Sequence, residues 1–328
     1  MPNSTKLSSK KTLLGIFGGL ALLAVLVLGF LNHVAIVDTF KGLSYAPSPE
    51  IAQIESSLNL TSAGTRIFHA TNPTLESRDD FNIHCESFNA EIAVLGCFSG
   101  DHVYVYNVED PELAGIREST TAHELLHAIW LRLPGVEKNR LVPLLESAYT
   151  ANQSTLKDTI ESYDESERLD ELYVRAATQL YELPSELEAH YAKYFRDRTP
   201  ILGFYDSYIA PFNELNAEIE AMSHEMEALR QTIDAKTADY EARSNSYNRA
   251  VDEFNACANT VGCFTDAAFY ARRAELVAEQ GNLDALYAEL NNLINSYNDK
   301  VDSYNANVLH NNTLQSLINS NSKLENIE

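Results

Sequence analysis

Phe212, Leu215, Ile219, Met222, Met226, Leu229 and Ile233 follow one another by alternating steps of three and four residues. Leu283, Tyr287, Leu290, Ile294, Tyr297, Val301, Tyr304 and Val308 do the same without a break. That spacing keeps apolar side chains on one stripe of a helix and marks a heptad seam. The stretch NSYNRAVDEFNA (245–256) recurs as NSYNDKVDSYNA (295–306), and CANTVGCFTD between the two seams has the composition of a turn. Two long helices folded back as an antiparallel hairpin over 212–310 are therefore expected. Each would have about 45 residues and a length of roughly 65–70 Å. Lys236 and Arg243 interrupt the first seam, and the Asn/Ser-rich residues 311–328 are expected to be a frayed, flexible tail.

The N-terminus carries a different signal. Lys6, Lys10 and Lys11 precede an uncharged run, Thr12–Leu31, of the length a helix needs to cross a bilayer. The run lacks a small-x-small cleavage site, so the expectation is an uncleaved anchor at 12–31 with residues 1–11 in the cytoplasm. Such a chain would be a single-pass protein of the cell membrane, its remainder extracytoplasmic. Three of the 24 basic residues and none of the 47 acidic ones lie within the first 31 positions, which leaves a formal charge of −26 beyond them. That charge excludes nucleic acid as a partner. Cys85, Cys97, Cys257 and Cys263 lie in the same part, where an oxidising environment permits disulfides. Proximity in sequence suggests Cys85–Cys97 and Cys257–Cys263, out of three possible pairings.

Residues 32–49, broken by Gly42, Pro47 and Pro49, are expected to be a stalk, and 50–211 a mixed domain. Glu91–Phe98 and His102–Val108, linked by Ser-Gly-Asp, read as a β-hairpin. After it Ala122, Leu125, Leu126, Ile129 and Leu133 define one apolar helix face, capped by Ser119 or Thr120 and stopped by Pro134-Gly135. A second such stripe is Leu169, Leu172, Tyr173, Ala176 and Leu180. The expected fold class is α+β: a small sheet plus helices, preceded by one transmembrane helix and followed by a coiled-coil hairpin.

The helix of the first stripe contains His123-Glu124-Leu125-Leu126-His127. Positions i and i+4 share a helix face, so both imidazoles can meet one ion. Glu124, one residue round, can reach a water on that ion without being a ligand. This H-E-x-x-H pattern suits zinc-assisted hydrolysis. The metal acidifies the water and the carboxylate takes its proton. The plainer alternative is a polar helix face with two satisfied histidines.

A strand, a loop and an HELLH helix resemble the active-site unit of the zincin metallopeptidases, over about residues 91–195. The resemblance implies one zinc ion, His123 and His127 as ligands, Glu124 as general base, and a peptide or protein substrate. It also implies that an edge strand, taken as His102–Val108, binds that substrate in extended form. The metzincin branch needs a Gly and a third His soon after the motif, which are absent here. The gluzincin type, with a downstream Glu as third ligand, remains. Glu146 follows His127 with eighteen residues between, and Glu171 lies in a cleaner amphipathic helix and is preferred. The alternative for Glu171 is an i,i+4 ion pair with Arg175; for Glu146 it is a solvated helix face. Tyr149, Tyr173 and His190 are available as donors to a developing oxyanion. The competing function is an exported coiled-coil adaptor with a non-catalytic zincin domain, which would hold a protein partner through the hairpin.

Overall fold

The computed structural model describes residues 33–85 and 94–320, together with Leu23 and Gly29. Two units are compact: one formed by residues up to Pro211 with those from Ser316 onward, the other by Phe212–Gln315.

In the first unit, Gly100 and Asp101 both take left-handed backbone angles, φ +59° and +68°. A two-residue loop of that twist suits tight strand pairing. It joins β2 (Gly96–Ser99) to β3 (His102–Tyr106) in antiparallel register, with Cys97 opposite Tyr104. Val103 and Val105 are buried while His102, Tyr104 and Tyr106 are half-buried, the alternation that a one-sided strand requires. β1 (Thr74–Glu76) pairs with the other side of β3 in parallel, giving the order β1-β3-β2. β3 is thus the central strand, contrary to its expected place at the edge. Three residues are too few to show a period, so β1 leaves no trace in the sequence pattern. Residues 91–93 of the expected first arm lie outside the described residues. The Cys85–Cys97 disulfide fastens β2 to α4 (Arg78–Cys85), with Phe81 buried beneath.

The other elements are helices: α1 (His33–Gly42), α2 (Pro49–Ser57), α3 (Ser62–Thr71), α5 (Ile116–Arg132), α6 (Gly135–Ala151), α7 (Gln153–Ser162), α8 (Arg168–Gln179) and α9 (Ser185–Tyr191). The fold class is corrected accordingly. Of the described residues 77% are helical, and strands of three, four and five residues form the small sheet. It is a mainly helical protein with a sheet at one edge of the site helix, not an α+β fold. α5 is the core element: Ala122, Leu125, Leu126 and Ile129 are buried against α2, α3 and α8. It starts three residues before the expected caps. Gly115, at φ +94°, turns the chain where a Cβ would lie 2.6 Å from the Phe204 carbonyl oxygen. Ser119, Thr120 and Thr121 are therefore buried within the helix.

Residues 33–42 of the expected stalk form α1, which packs on α3. Arg132 at the end of α5 donates to both oxygens of the buried Asp38 at 3.1 Å, locking α1 in place. The expected membrane anchor is also corrected. Among the described residues no helix is long and apolar enough to cross a membrane, so a single-pass location in the cell membrane has no support. Apart from Leu23 and Gly29, the run Thr12–Leu31 lies outside the described residues.

The second unit consists of the far part of α10 (Thr199–Ala258) and most of α11 (Asp266–Ile318), joined by a loop closed by the Cys257–Cys263 disulfide. Lys236 meets Glu289 at 2.9 Å, Arg243 meets Glu279 at 2.9 Å and Lys300 meets Glu225, all in one antiparallel register. The two basic residues expected to interrupt the seam thus bridge to the opposite helix. On α11 the seam runs through the buried Leu283, Leu286 and Leu290, while Tyr287 and Ile294 are exposed. Leu286 and Tyr287 are adjacent, so either satisfies the spacing, and packing chose the leucine. Residues 311–318 of the expected tail continue α11, with Leu314 buried; 321–328 lie outside the described residues.

Candidate metal centre

One turn of α5 places His123 and His127 on a common face, with their Nε2 atoms 3.2 Å apart. α8 packs across α5 through Leu172, Tyr173, Ala176 and Ala177, and this sets Glu171, in its first turn, opposite the two rings. Glu171 Oε2 lies 3.5 Å from His127 Nε2, and Oε1 lies 3.7 Å from His123 Nε2. One donor atom from each of the three groups falls within 4.8 Å of the others, and the group can hold a metal ion. Glu171 is only 4% exposed and the imidazoles 22%, so an ion there would be reached from the histidine side.

His127 Nδ1 hydrogen-bonds Asp170 Oδ1 at 3.0 Å, which directs Nε2 into the cluster. Burial opposes a charge on His127, but Asp170 and Glu171 outweigh it and raise the pKa to about 10. Burial lowers His123 to about 3, helped by His127 and Arg175. Burial also acts to raise Glu171, yet His123, His127 and Arg175 hold it below the usual carboxylate range.

Glu124 is 6% exposed. Burial, reinforced by Glu171 and Asp170 and opposed by His127, raises its carboxyl to about 7. β2 crosses α5 at this residue. A Cβ on Gly96 would lie 2.6 Å from Thr120 Cγ2 and 2.7 Å from Glu124 Cγ. Gly96→Ala should therefore destabilise the protein by about 1–3 kcal/mol, the cost of overpacking. Urea unfolding measures this; a midpoint equal to the parent's would mean that β2 can lift away from α5 freely.

The other sequence candidates lie elsewhere. Glu146 is exposed on α6. Tyr173 and His190 are buried and bonded to each other at 3.1 Å, and His190 Nδ1 meets Glu137 at 2.9 Å. Tyr149 packs against the core, and Trp130 stacks near Tyr173 with ring centroids 4.9 Å apart. Asp170 was not singled out from the sequence; its signal is a second carboxylate beside Glu171 in the same first turn. The other missed residue is Tyr163, whose hydroxyl lies 3.4 Å from Arg175 Nη2 and whose pKa is raised by burial and then by Glu171.

No protein-family model, curated protein or solved structure matches this chain. The chemistry of the site rests on its own geometry.

Proposed function

We propose that the first unit is a zinc-dependent peptidase of the zincin type, with His123, His127 and Glu171 as ligands and Glu124 as general base. The observation that carries this reading is the convergence of Glu171 on the H-E-x-x-H pair. Zinc held tetrahedrally at about 2.0–2.1 Å from its donors sets them roughly 3.3–3.4 Å apart. The two imidazole nitrogens, 3.2 Å apart, are close to that spacing, and Glu171 approaches each ring with a different oxygen, at 3.5 and 3.7 Å.

When bound, zinc supplies a Lewis acid and an acidified water. Glu124, with a pKa near neutrality, can take a proton from a nucleophilic water and pass it to the leaving amine. Asp170 holds His127 in the tautomer that offers Nε2. β2, an outer strand of the described sheet, lies beside Glu124, which supports an extended peptide as the substrate class.

The test is metal content and peptide hydrolysis of full-length protein purified without chelators. About one equivalent of zinc with cleavage of a mixed peptide pool is expected. Less than a tenth of an equivalent overturns the reading, and zinc without cleavage favours a scaffold with a non-catalytic site. Asp170→Ala should weaken zinc binding by about 10–100-fold, as loss of a carboxylate behind a ligating histidine does. Competition with a chromogenic chelator reads the change, and an unaltered affinity would remove Asp170 from the site.

A further inference from the structure

Glu171 presents both carboxylate oxygens to the imidazoles: Oε1 at 3.7 Å from His123 Nε2 and Oε2 at 3.5 Å from His127 Nε2. Its side chain alone leaves open whether an ion receives one oxygen or two. Arg175, one turn further along α8, bears on that choice. Its Nε lies 2.6 Å from Oε1, and neither atom has a hydrogen-bond partner, so the contact is an ion pair off the N–H axis. Arg175 has little room to leave. Its side chain is 18% exposed, its guanidinium carbon sits 6.0 Å from the centre of the Tyr163 ring, and Nη2 lies 3.4 Å from the Tyr163 hydroxyl. Tyr163 follows α7 directly as its C-terminal cap, so a second helix braces the guanidinium.

We propose that Arg175 is a positioning residue that claims Oε1 of Glu171 and thereby makes it a one-oxygen ligand through Oε2. The inference rests on the metal-centre reading above. Two imidazoles and one carboxylate oxygen make three protein donors, the number that keeps a fourth tetrahedral position open for chemistry. Its cation also offsets the charge of the Glu171 carboxylate. An Arg suits this task because its planar, always charged group can contact the carboxylate and the Tyr163 ring together. Without it, Oε1 is free to turn to the ion, and a five-coordinate centre results.

Cobalt(II)-loaded full-length protein tests this, because the visible ligand-field bands of cobalt are intense in four-coordinate and weak in five-coordinate sites. The parent should show intense bands. Arg175→Met, which keeps the length of the side chain and removes its charge, should lose band intensity severalfold. Arg175→Lys, which restores a cation near Oε1, should recover most of it. Equal intensity in parent and Arg175→Met overturns the proposal, as do weak bands in the parent. Should Arg175→Met fail to fold, X-ray absorption at the zinc edge of the parent decides: a four-donor shell supports the one-oxygen assignment, and a five-donor shell with Glu171 bidentate overturns it. A parent that takes up neither cobalt nor zinc removes the metal-centre reading itself, and Arg175's role with it. Unchanged coordination in a loaded variant removes only the role of Arg175.

Discussion

Glu124→Gln should keep its metal and lose peptide hydrolysis by about 10²–10⁴-fold, the usual contribution of a positioned general base. Glutamine has nearly the shape of glutamate, which matters where Gly96 leaves no space against Glu124 Cγ. The substitution removes the one function the amide cannot supply, acceptance of a proton. A carboxyl raised to about 7 by burial is half-ionised near neutral pH, poised both to take the proton and to return it. Metal content should match the parent, because Glu124 belongs to none of the three donor groups. Turnover equal to the parent's would remove Glu124 as the base, while loss of zinc along with activity would show that it is structural.

His123→Ala should abolish stoichiometric zinc, leaving below a tenth of an equivalent, and take hydrolysis to background. Two donors remain after the change, and His127 then has Asp170 and Glu171 as its polar partners. The fold should survive, since Glu171 keeps its ion pair with Arg175 and α5 keeps its buried apolar face. The sharper readout is linkage. Added zinc at one hundred times its dissociation constant should stabilise the parent by about 2.7 kcal/mol. The variant should gain nothing. A full equivalent of zinc held by His123→Ala with the parent's affinity would place the metal elsewhere and end the reading of this cluster as the centre.

Legibility followed the range of each interaction. His123 and His127 share a face because a helix repeats every 3.6 residues, a constraint contained in five consecutive positions. The bridges Cys85–Cys97 and Cys257–Cys263 close over separations of 12 and 6 residues. Along α10 the spacing from Phe212 to Ile233 marks the side that faces α11, whereas on α11 adjacent apolar residues offered two stripes and the sequence pattern chose the exposed Tyr287 and Ile294. The sheet is less legible still: runs rich in β-branched residues suggest a larger share of strand than three short segments, and the three residues of β1 carry no pattern that would move β3 from an edge to the centre.

Glu171 illustrates the limit best. Its pairing with Arg175 and its place beside the histidines looked like alternatives, yet its two oxygens allow both at once. Local features are readable from the order of residues alone: two imidazoles and a carboxylate at helical spacing, and the partners of two short disulfide loops. Long-range packing settles which downstream carboxylate meets them, that Asp170 orients His127, and that β2 rather than β3 is an outer strand of the described sheet beside Glu124. These depend on how α8 and a three-residue strand pack against distant elements. Packing free energy sums over many weak contacts between residues far apart in the chain, and no short window of sequence contains that sum.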